Sequence, residues 1–280
     1  MNKFEDVIQQ LVSAGVSSPR LEARLILTHI MGCESSSAKV LNPDLSVQQE
    51  KKLNILLEKR IKHHFPLDKI LGYKDFYKYT FKVNEDVLSP RPDTEILVEE
   101  AIRLMAGRPL DVLDLGTGSG CILLSLLKEN PSAKGTGVDI SDKALDVARQ
   151  NAVALGVEKQ VKWLHASWFE KDFVGHFTNS FEMIVSNPPY IAEPEIVELD
   201  AEVKNHDPLS ALSGGKDGME SYQRLAQIIP ELLSPNGYVL LECGRGQAQA
   251  VAEIFTEQGL KFKNILRDLQ GIERCVILKK

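Results

Sequence analysis

Apolar positions in the first third of the chain recur with a helical period. Phe4, Val7, Ile8, Leu11 and Val12 mark one face of a helix that stops at Gly15. Ser18-Pro19 offers an N-cap followed by proline at the first helical position, where its missing N–H costs nothing, and predicts a second helix to about Gly32. Ser46-x-x-Gln49 has the form of a capping box. The helix it opens carries Leu53, Leu56, Leu57 and Ile61 on one side and must end by Pro66. Each stripe needs an apolar partner, so residues 1–72 are expected to form a small α-helical bundle. From Phe76 to Val83 the period drops to two, as in a strand or hairpin, and Pro90-Arg91-Pro92 breaks the pattern. Residues 73–90 are therefore expected to be a β-hairpin linker.

Beyond residue 91 the pattern alternates. Asp111–Gly116, Lys134–Ile140, Val161–Ala166, Phe181–Ser186 and Gly237–Gly244 are short β-rich runs, with helical stretches near 119–129, 142–155, 221–233 and 246–258. Such alternation predicts a parallel sheet covered by helices on both faces, an α/β domain over 91–280. Two further strands, about 261–268 and 273–279, are joined by only a few residues around Gly271. That is too short for a crossover helix, so they should pair as an antiparallel hairpin.

Composition narrows the class without choosing a function. The chain has 280 residues, 43% apolar and 26% charged, close to globular averages, which argues against a disordered or collagen-like chain. Four cysteines, Cys33, Cys121, Cys243 and Cys275, form no C-x-x-C pair, so neither a metal site nor an oxidised extracellular framework is expected. No apolar run reaches the roughly 18 residues of a membrane helix, and the N-terminus lacks the shape of a signal peptide. A cytoplasmic protein without a membrane partner is expected, and nothing demands more than a monomer. The net charge of −6 disfavours non-specific nucleic-acid binding, but it is unevenly spread. Residues 51–82 hold nine basic and three acidic side chains. This stretch, Lys59, Arg60 and Lys62 included, is a candidate docking surface for an acidic protein or a tRNA-shaped partner, with the bundle as docking module. His63-His64 is read as a solvated helix terminus.

Two motifs carry chemistry. Asp114-Leu115-Gly116-Thr117-Gly118-Ser119-Gly120 is a glycine-rich turn from the first strand of the alternating region into a helix, where backbone N–H groups can approach a ligand. Cys121 stands where a dinucleotide fingerprint wants its third glycine, which argues against NAD. Asp139, ending the next strand, can accept both hydroxyls of a ribose. Asn187-Pro188-Pro189-Tyr190 follows the fourth strand of that region at the same sheet edge. Its prolines hold the backbone extended, so the Asn187 side-chain oxygen and the Pro188 carbonyl can both accept hydrogen bonds from an exocyclic NH2, beside the flat face of Tyr190.

Together these motifs resemble the Rossmann-like class I S-adenosylmethionine-dependent methyltransferases that modify planar amino groups, either adenine N6 or a protein glutamine amide. Ile70-Leu71-Gly72-x-x-x-Phe76, Leu88-x-Pro90-Arg91-Pro92-Asp93-Thr94-Glu95, Asp207-Pro208 with Ala211-Leu212-x-Gly214-Gly215-x-Asp217-Gly218, and Asp268-Leu269-x-Gly271-x-x-Arg274 are similar to the HemK/PrmC family. These are the protein-(glutamine-N5) methyltransferases of peptide chain release factors. The resemblance implies a seven-stranded sheet with the last hairpin strand antiparallel, S-adenosylmethionine as cofactor, and the Gly-Gly-Gln loop of class I release factors as substrate, with no direct nucleic-acid substrate. It implies that Gly116, Thr117, Gly118, Ser119 and Gly120 wrap the cofactor's methionine end, Asp139 holds its ribose, and Trp168 lies near its adenine. Asn187, Pro188, Pro189 and Tyr190 would hold the glutamine amide at the point of transfer, with Asn187 also beside the cofactor. An adenine N6 methyltransferase would be expected to carry a DNA-reading domain, and a non-catalytic relative would not need to keep every pocket residue. Ser167 stands where many relatives have Asp, and Glu242-Cys243-Gly244 replaces the more usual Glu-Ile-Gly; Cys243 is read as a core substitution.

Overall fold

The computed structural model describes residues 2–33 and 37–280, which fall into two compact units. The first runs from the N-terminus to Gly72 and includes Ala201–His206; the second is Tyr73–Asp200 with Asp207–Lys280.

In the first unit, α1 (Lys3–Ser13) starts at Asn2, whose side chain accepts the N–H of Phe4. Helix α2 (Pro19–Met31) begins on proline and ends at Gly32 in the left-handed conformation. Ser46 and Gln49 form a capping box at α3 (Val47–Lys62), and one further turn, α4 (Leu67–Leu71), follows Pro66. Phe4, Val7, Leu11, Ile26, Leu27 and Leu53 are the centre of its core. Burial of side chains of this size contributes roughly 1.5–3 kcal/mol each.

Arg60 corrects the docking surface drawn from the sequence. Its guanidinium is buried, bidentate on Glu22 at 2.6 and 2.8 Å and bonded to Glu202 at 2.6 Å. Burial alone would lower its pKa; the two carboxylates reverse that and hold it above the usual arginine value. Charge counting along the chain could not separate this internal cation from the exposed Lys59 and Lys62. The same contact explains why Ala201–His206 groups with the N-terminal helices rather than with 91–280. His206 adds to it, accepting from Lys69 Nζ through its carbonyl at 2.6 Å and placing Nε2 at 2.7 Å from the His63 carbonyl.

The second unit opens with strands β1 (Tyr73–Phe76) and β2 (Tyr79–Lys82), an antiparallel hairpin. The hairpin is a part of this unit rather than a separate linker, because Phe76 and Phe81 sit in its core. Then come α5 (Glu95–Met105), β3 (Asp111–Leu115), α6 (Cys121–Glu129), β4 (Lys134–Asp139), α7 (Asp142–Leu155), β5 (Val161–His165) and β6 (Phe181–Ser186). Three short helices, α8 (Glu193–Ile196), α9 (Ala201–His206, of the first unit) and α10 (Leu209–Leu212), precede α11 (Glu220–Leu232). The chain ends with β7 (Leu233–Glu242), α12 (Ala248–Glu257), β8 (Lys261–Arg267) and β9 (Glu273–Lys279).

The sheet has seven strands in the order β5-β4-β3-β6-β7-β9-β8. The first five are parallel, and β9 runs antiparallel to both its neighbours, as the short connection at Gly271 requires. Alternate residues feed two cores: Val112, Met183, Val185 and Leu240 face α5 and α6, while Leu113, Ile184, Val239 and Leu241 face α11 and α12. This two-sided burial is why these strands read as almost unbroken apolar runs. Strand order reverses between β3 and β6, and their C-terminal ends open the crevice where α/β sheets bind ligands. Among the described residues no helix is long and apolar enough to cross a membrane.

Candidate active site

The turn after β3 climbs away from the sheet through three left-handed residues, Gly116 (φ 77°), Gly118 (φ 56°) and Gly120 (φ 80°). At two of them the need for glycine is also steric. A Cβ at Gly120 would lie 2.8 Å from the Leu124 side chain, and one at Gly116 would meet the Trp168 ring at 3.3 Å. At Gly118 nothing lies within 4 Å, so the loop is open there. Beneath it Asp114 is fully buried and accepts the Thr117 hydroxyl at 2.7 Å. Burial, with the charge of Asp139 adding to it, pushes the Asp114 carboxyl up to about 7, against the pull of the Thr117 hydrogen bond.

Asp139 ends β4 with one oxygen on the Gly118 N–H at 2.8 Å and the other on the Ser141 N–H at 2.9 Å. Burial raises its pKa, and these backbone donors oppose the rise. Each oxygen keeps a free lone pair for a further donor.

Asn187 follows β6 directly. Its Nδ2 donates to Thr94 Oγ1 at 3.4 Å, which points the amide nitrogen inward. Thr94 and Glu242 behind it are each 2% exposed. Burial lifts the Glu242 carboxyl to about 7, while the Thr94 hydroxyl, the charge of Arg274 and the Asn187 amide pull it down. The Arg91–Glu95 segment is pinned residue by residue. Arg91 pairs with Asp207 at 3.4 Å, Asp93 with Arg274 at 2.8 Å, and Glu95 accepts the Tyr77 N–H at 3.0 Å. Arg274 also holds Asp268 at 2.9 Å, which gives the two ends of the second unit a common anchor.

One cleft gathers Gly116, Gly118, Asp139, Trp168, Asn187 and Pro189. Thr117, Ser119, Gly120 and Pro188 are buried beside it, and Tyr190 packs at the edge of the core rather than lining it. The Tyr190 carbonyl accepts from Gln247 Nε2 at 2.9 Å, and a Cβ on Gly218 would strike that carbonyl. Burial raises the pKa of the Tyr190 hydroxyl. The glycine-rich segment 214–218 thus serves to seat Tyr190. Ser167 Oγ accepts the Phe169 N–H at 3.2 Å and its own N–H reaches Glu170 Oε1 at 2.7 Å, so serine here caps the turn that carries Trp168. Cys243 is buried in the core.

Sequence reasoning met Thr94 and Glu242 only as members of family motifs and gave neither a role at the site. A charged residue closing the apolar run Val239-Leu240-Leu241 was the available signal for Glu242.

A methyltransferase domain model matches residues 108–274, and a PrmC N-terminal domain model matches residues 4–72. The release factor glutamine methyltransferase of Rhodospirillum rubrum is 39% identical over 271 residues, 97% of this chain and 82% of that protein. That of Caulobacter vibrioides is 40% identical, also over 271 residues, covering 96% of this chain and 92% of the relative. The chain belongs to the release factor glutamine methyltransferase family. Its fold is shared more widely. A methyltransferase from Pyrococcus furiosus superposes with a TM-score of 0.53 at 17% identity, over 82% of this chain and 98% of that one. Both family motifs, the glycine-rich turn and Asn187–Tyr190, sit at neighbouring strand ends of the sheet these methyltransferases have in common.

Proposed function

We propose that this protein transfers the methyl group of S-adenosylmethionine to the side-chain amide nitrogen of the glutamine in the Gly-Gly-Gln loop of class I peptide chain release factors. The observation that carries the reading is Asn187. With Nδ2 turned inward to Thr94, its Oδ1 is the end left for the cleft it shares with Gly118 and Asp139. The names of the relatives support a release factor glutamine as the methyl acceptor. With a release factor as substrate, the reaction is proposed to take place in the cytoplasm.

The residues present fit the cofactor. Gly116 leaves room for the Trp168 wall, Gly118 opens the loop, and Asp139 has lone pairs for two vicinal hydroxyls. When bound, S-adenosylmethionine supplies an electrophilic methyl carbon on a sulfonium. An amide nitrogen is a poor nucleophile because its lone pair is delocalised into the carbonyl. The Asn187 and Pro188 oxygens accept its two N–H bonds, raise its electron density and stabilise the positive charge that grows on it during transfer. Holding the nitrogen at attack distance removes up to roughly 7–11 kcal/mol of barrier, by analogy with intramolecular reactions. No base is needed beforehand, since the nitrogen becomes acidic once it carries the new bond and then releases its extra proton to solvent.

Asp139→Ala removes the acceptor for both hydroxyls. Cofactor Kd, measured by titration calorimetry, should rise about 10- to 100-fold, the size of charged hydrogen bonds. An unchanged Kd would remove Asp139 from the site. The overall reading is tested with purified protein and methyl-labelled S-adenosylmethionine, offered a release factor, its loop Gln→Ala variant, or adenine-containing DNA. Label is expected only in the first. Label in DNA would establish adenine N6 methylation instead.

A further inference from the structure

We propose that the buried Glu242 sets the direction of a hydrogen-bond chain running through Thr94 to Asn187, and so decides which end of the Asn187 amide faces the methyl acceptor. The proposal rests on the glutamine methyltransferase reading. It assigns Glu242 and Thr94 as positioning residues for a reaction whose contacts are made by Asn187.

Sheet register brings the groups together. Ser186 of β6 pairs with Leu241 of β7, so the next residues, Asn187 and Glu242, leave adjacent parallel strands side by side. Such strands lie roughly 4.8 Å apart. Thr94 enters from the turn before α5, accepting from Asn187 Nδ2 at 3.4 Å, and its hydroxyl and the Asn187 amide both act on the Glu242 carboxylate. Thr94 and Glu242 are sealed from solvent, so no bulk water competes for these bonds.

The chemistry of the chain then has only one polarity. An ionised carboxylate accepts and cannot donate, whereas a hydroxyl does one of each. The Thr94 hydrogen and an Asn187 N–H must therefore both point at Glu242, while the Thr94 oxygen keeps its lone pairs for the same Asn187 nitrogen, and Oδ1 turns outward. A protonated Glu242 can donate to Thr94 instead. The Thr94 hydrogen is then free for Asn187 Oδ1, and the outward end of the amide becomes a donor that repels the substrate N–H.

Among the described residues Glu242 has no private counter-ion that would fix its charge, and its Oε2 makes no hydrogen bond to any of them: the cation facing it, Arg274, is already engaged by Asp93 and Asp268. Around it, Arg274 favours the ionised form, and Asp93 opposes it. Tyr190, Tyr222, Cys121, Cys243 and Cys275 also feel its charge, but burial raises the pKa of each, so they stay neutral near pH 7. With the Glu242 carboxyl pushed up to about 7, the productive polarity is lost as pH falls through neutrality, and kcat should fall with it. Asp114 titrates in the same range, which makes a variant comparison necessary.

The test measures kcat, KM and cofactor Kd from pH 6 to 9 with the release factor as substrate. Glu242→Gln should lower kcat about 10- to 100-fold with Kd and KM within about threefold, and the acid limb near pH 7 should disappear. Thr94→Val should lower kcat similarly, and Thr94→Ser, which keeps the hydroxyl, should restore it. Retention of both the kcat and the acid limb in Glu242→Gln would overturn the proposal. If Glu242→Gln does not fold, equal kcat for Thr94→Val and Thr94→Ser would overturn it instead, and rescue only by serine would support it. A wild-type protein that leaves the release factor unlabelled would fail the functional reading itself, a result distinct from either of these.

Discussion

Asn187→Ala should lose about a thousandfold or more in kcat while cofactor Kd moves by no more than about threefold, because a lone oriented dipole at a developing charge accounts for roughly 10²–10³ in rate and here it also orients the nucleophile. The methyl acceptor would keep only the Pro188 carbonyl, and the glutamine nitrogen would be free to rotate out of line. Cofactor contacts at Asp139 and the glycine turn are untouched by the change, so the loss belongs in kcat rather than in cofactor binding. Single-turnover transfer of labelled methyl, with calorimetry for the cofactor, separates the two. Turnover within tenfold of wild type would sink the assignment of Asn187 to the reacting centre.

The second large effect is on stability. Arg60→Leu leaves Glu22 in the first unit with its carboxylate buried and its bidentate partner gone. Breaking a buried pair from one side costs roughly 3–5 kcal/mol, against about 1 kcal/mol or less for a half-exposed one. Glu202 is 41% exposed in its side chain, so Glu202→Gln should cost much less than Arg60→Leu. The double variant Arg60→Leu/Glu22→Leu removes the stranded charge and should recover part of the loss. Urea unfolding of the three variants checks the order. A loss under about 1 kcal/mol for Arg60→Leu would mean that water reaches Glu22.

What could be read from the sequence follows the strength of local chemistry. Caps and breakers at Ser46, Gln49, Pro19 and Gly32 act within a few residues, and the helices they bound form as the pattern predicts. Strands β3 and β6 were legible because both their faces are largely buried, and the turn at Gly271 foretold the antiparallel end. Helix α5 was missed: its buried Leu97, Val98, Ala101 and Met105 stand close behind the proline break at 90–92, which masked the start. Helices α8 to α10 are too short for any period to emerge. At the site, Asn187 and Asp139 announced themselves by type and place. Thr94 and Glu242 did not, because their roles depend on a contact across 93 residues in one case and on sheet register in the other. Arg60 was misread for the same reason: a cation's partner 142 residues away leaves no trace in local charge.

That separation also has a meaning in time. A chain grows at roughly 5–20 residues per second and its N-terminal part emerges first. With 142 residues from Arg60 to Glu202, the nascent first unit waits on the order of ten seconds with Arg60 held by Glu22 and the Phe65 carbonyl but not by Glu202. During that interval the Nη1 arm of Arg60 lacks its anion. The last piece of the N-terminal unit is delivered only by the chain that follows Asn187–Tyr190, so its completion reports that the catalytic motif has already been synthesised.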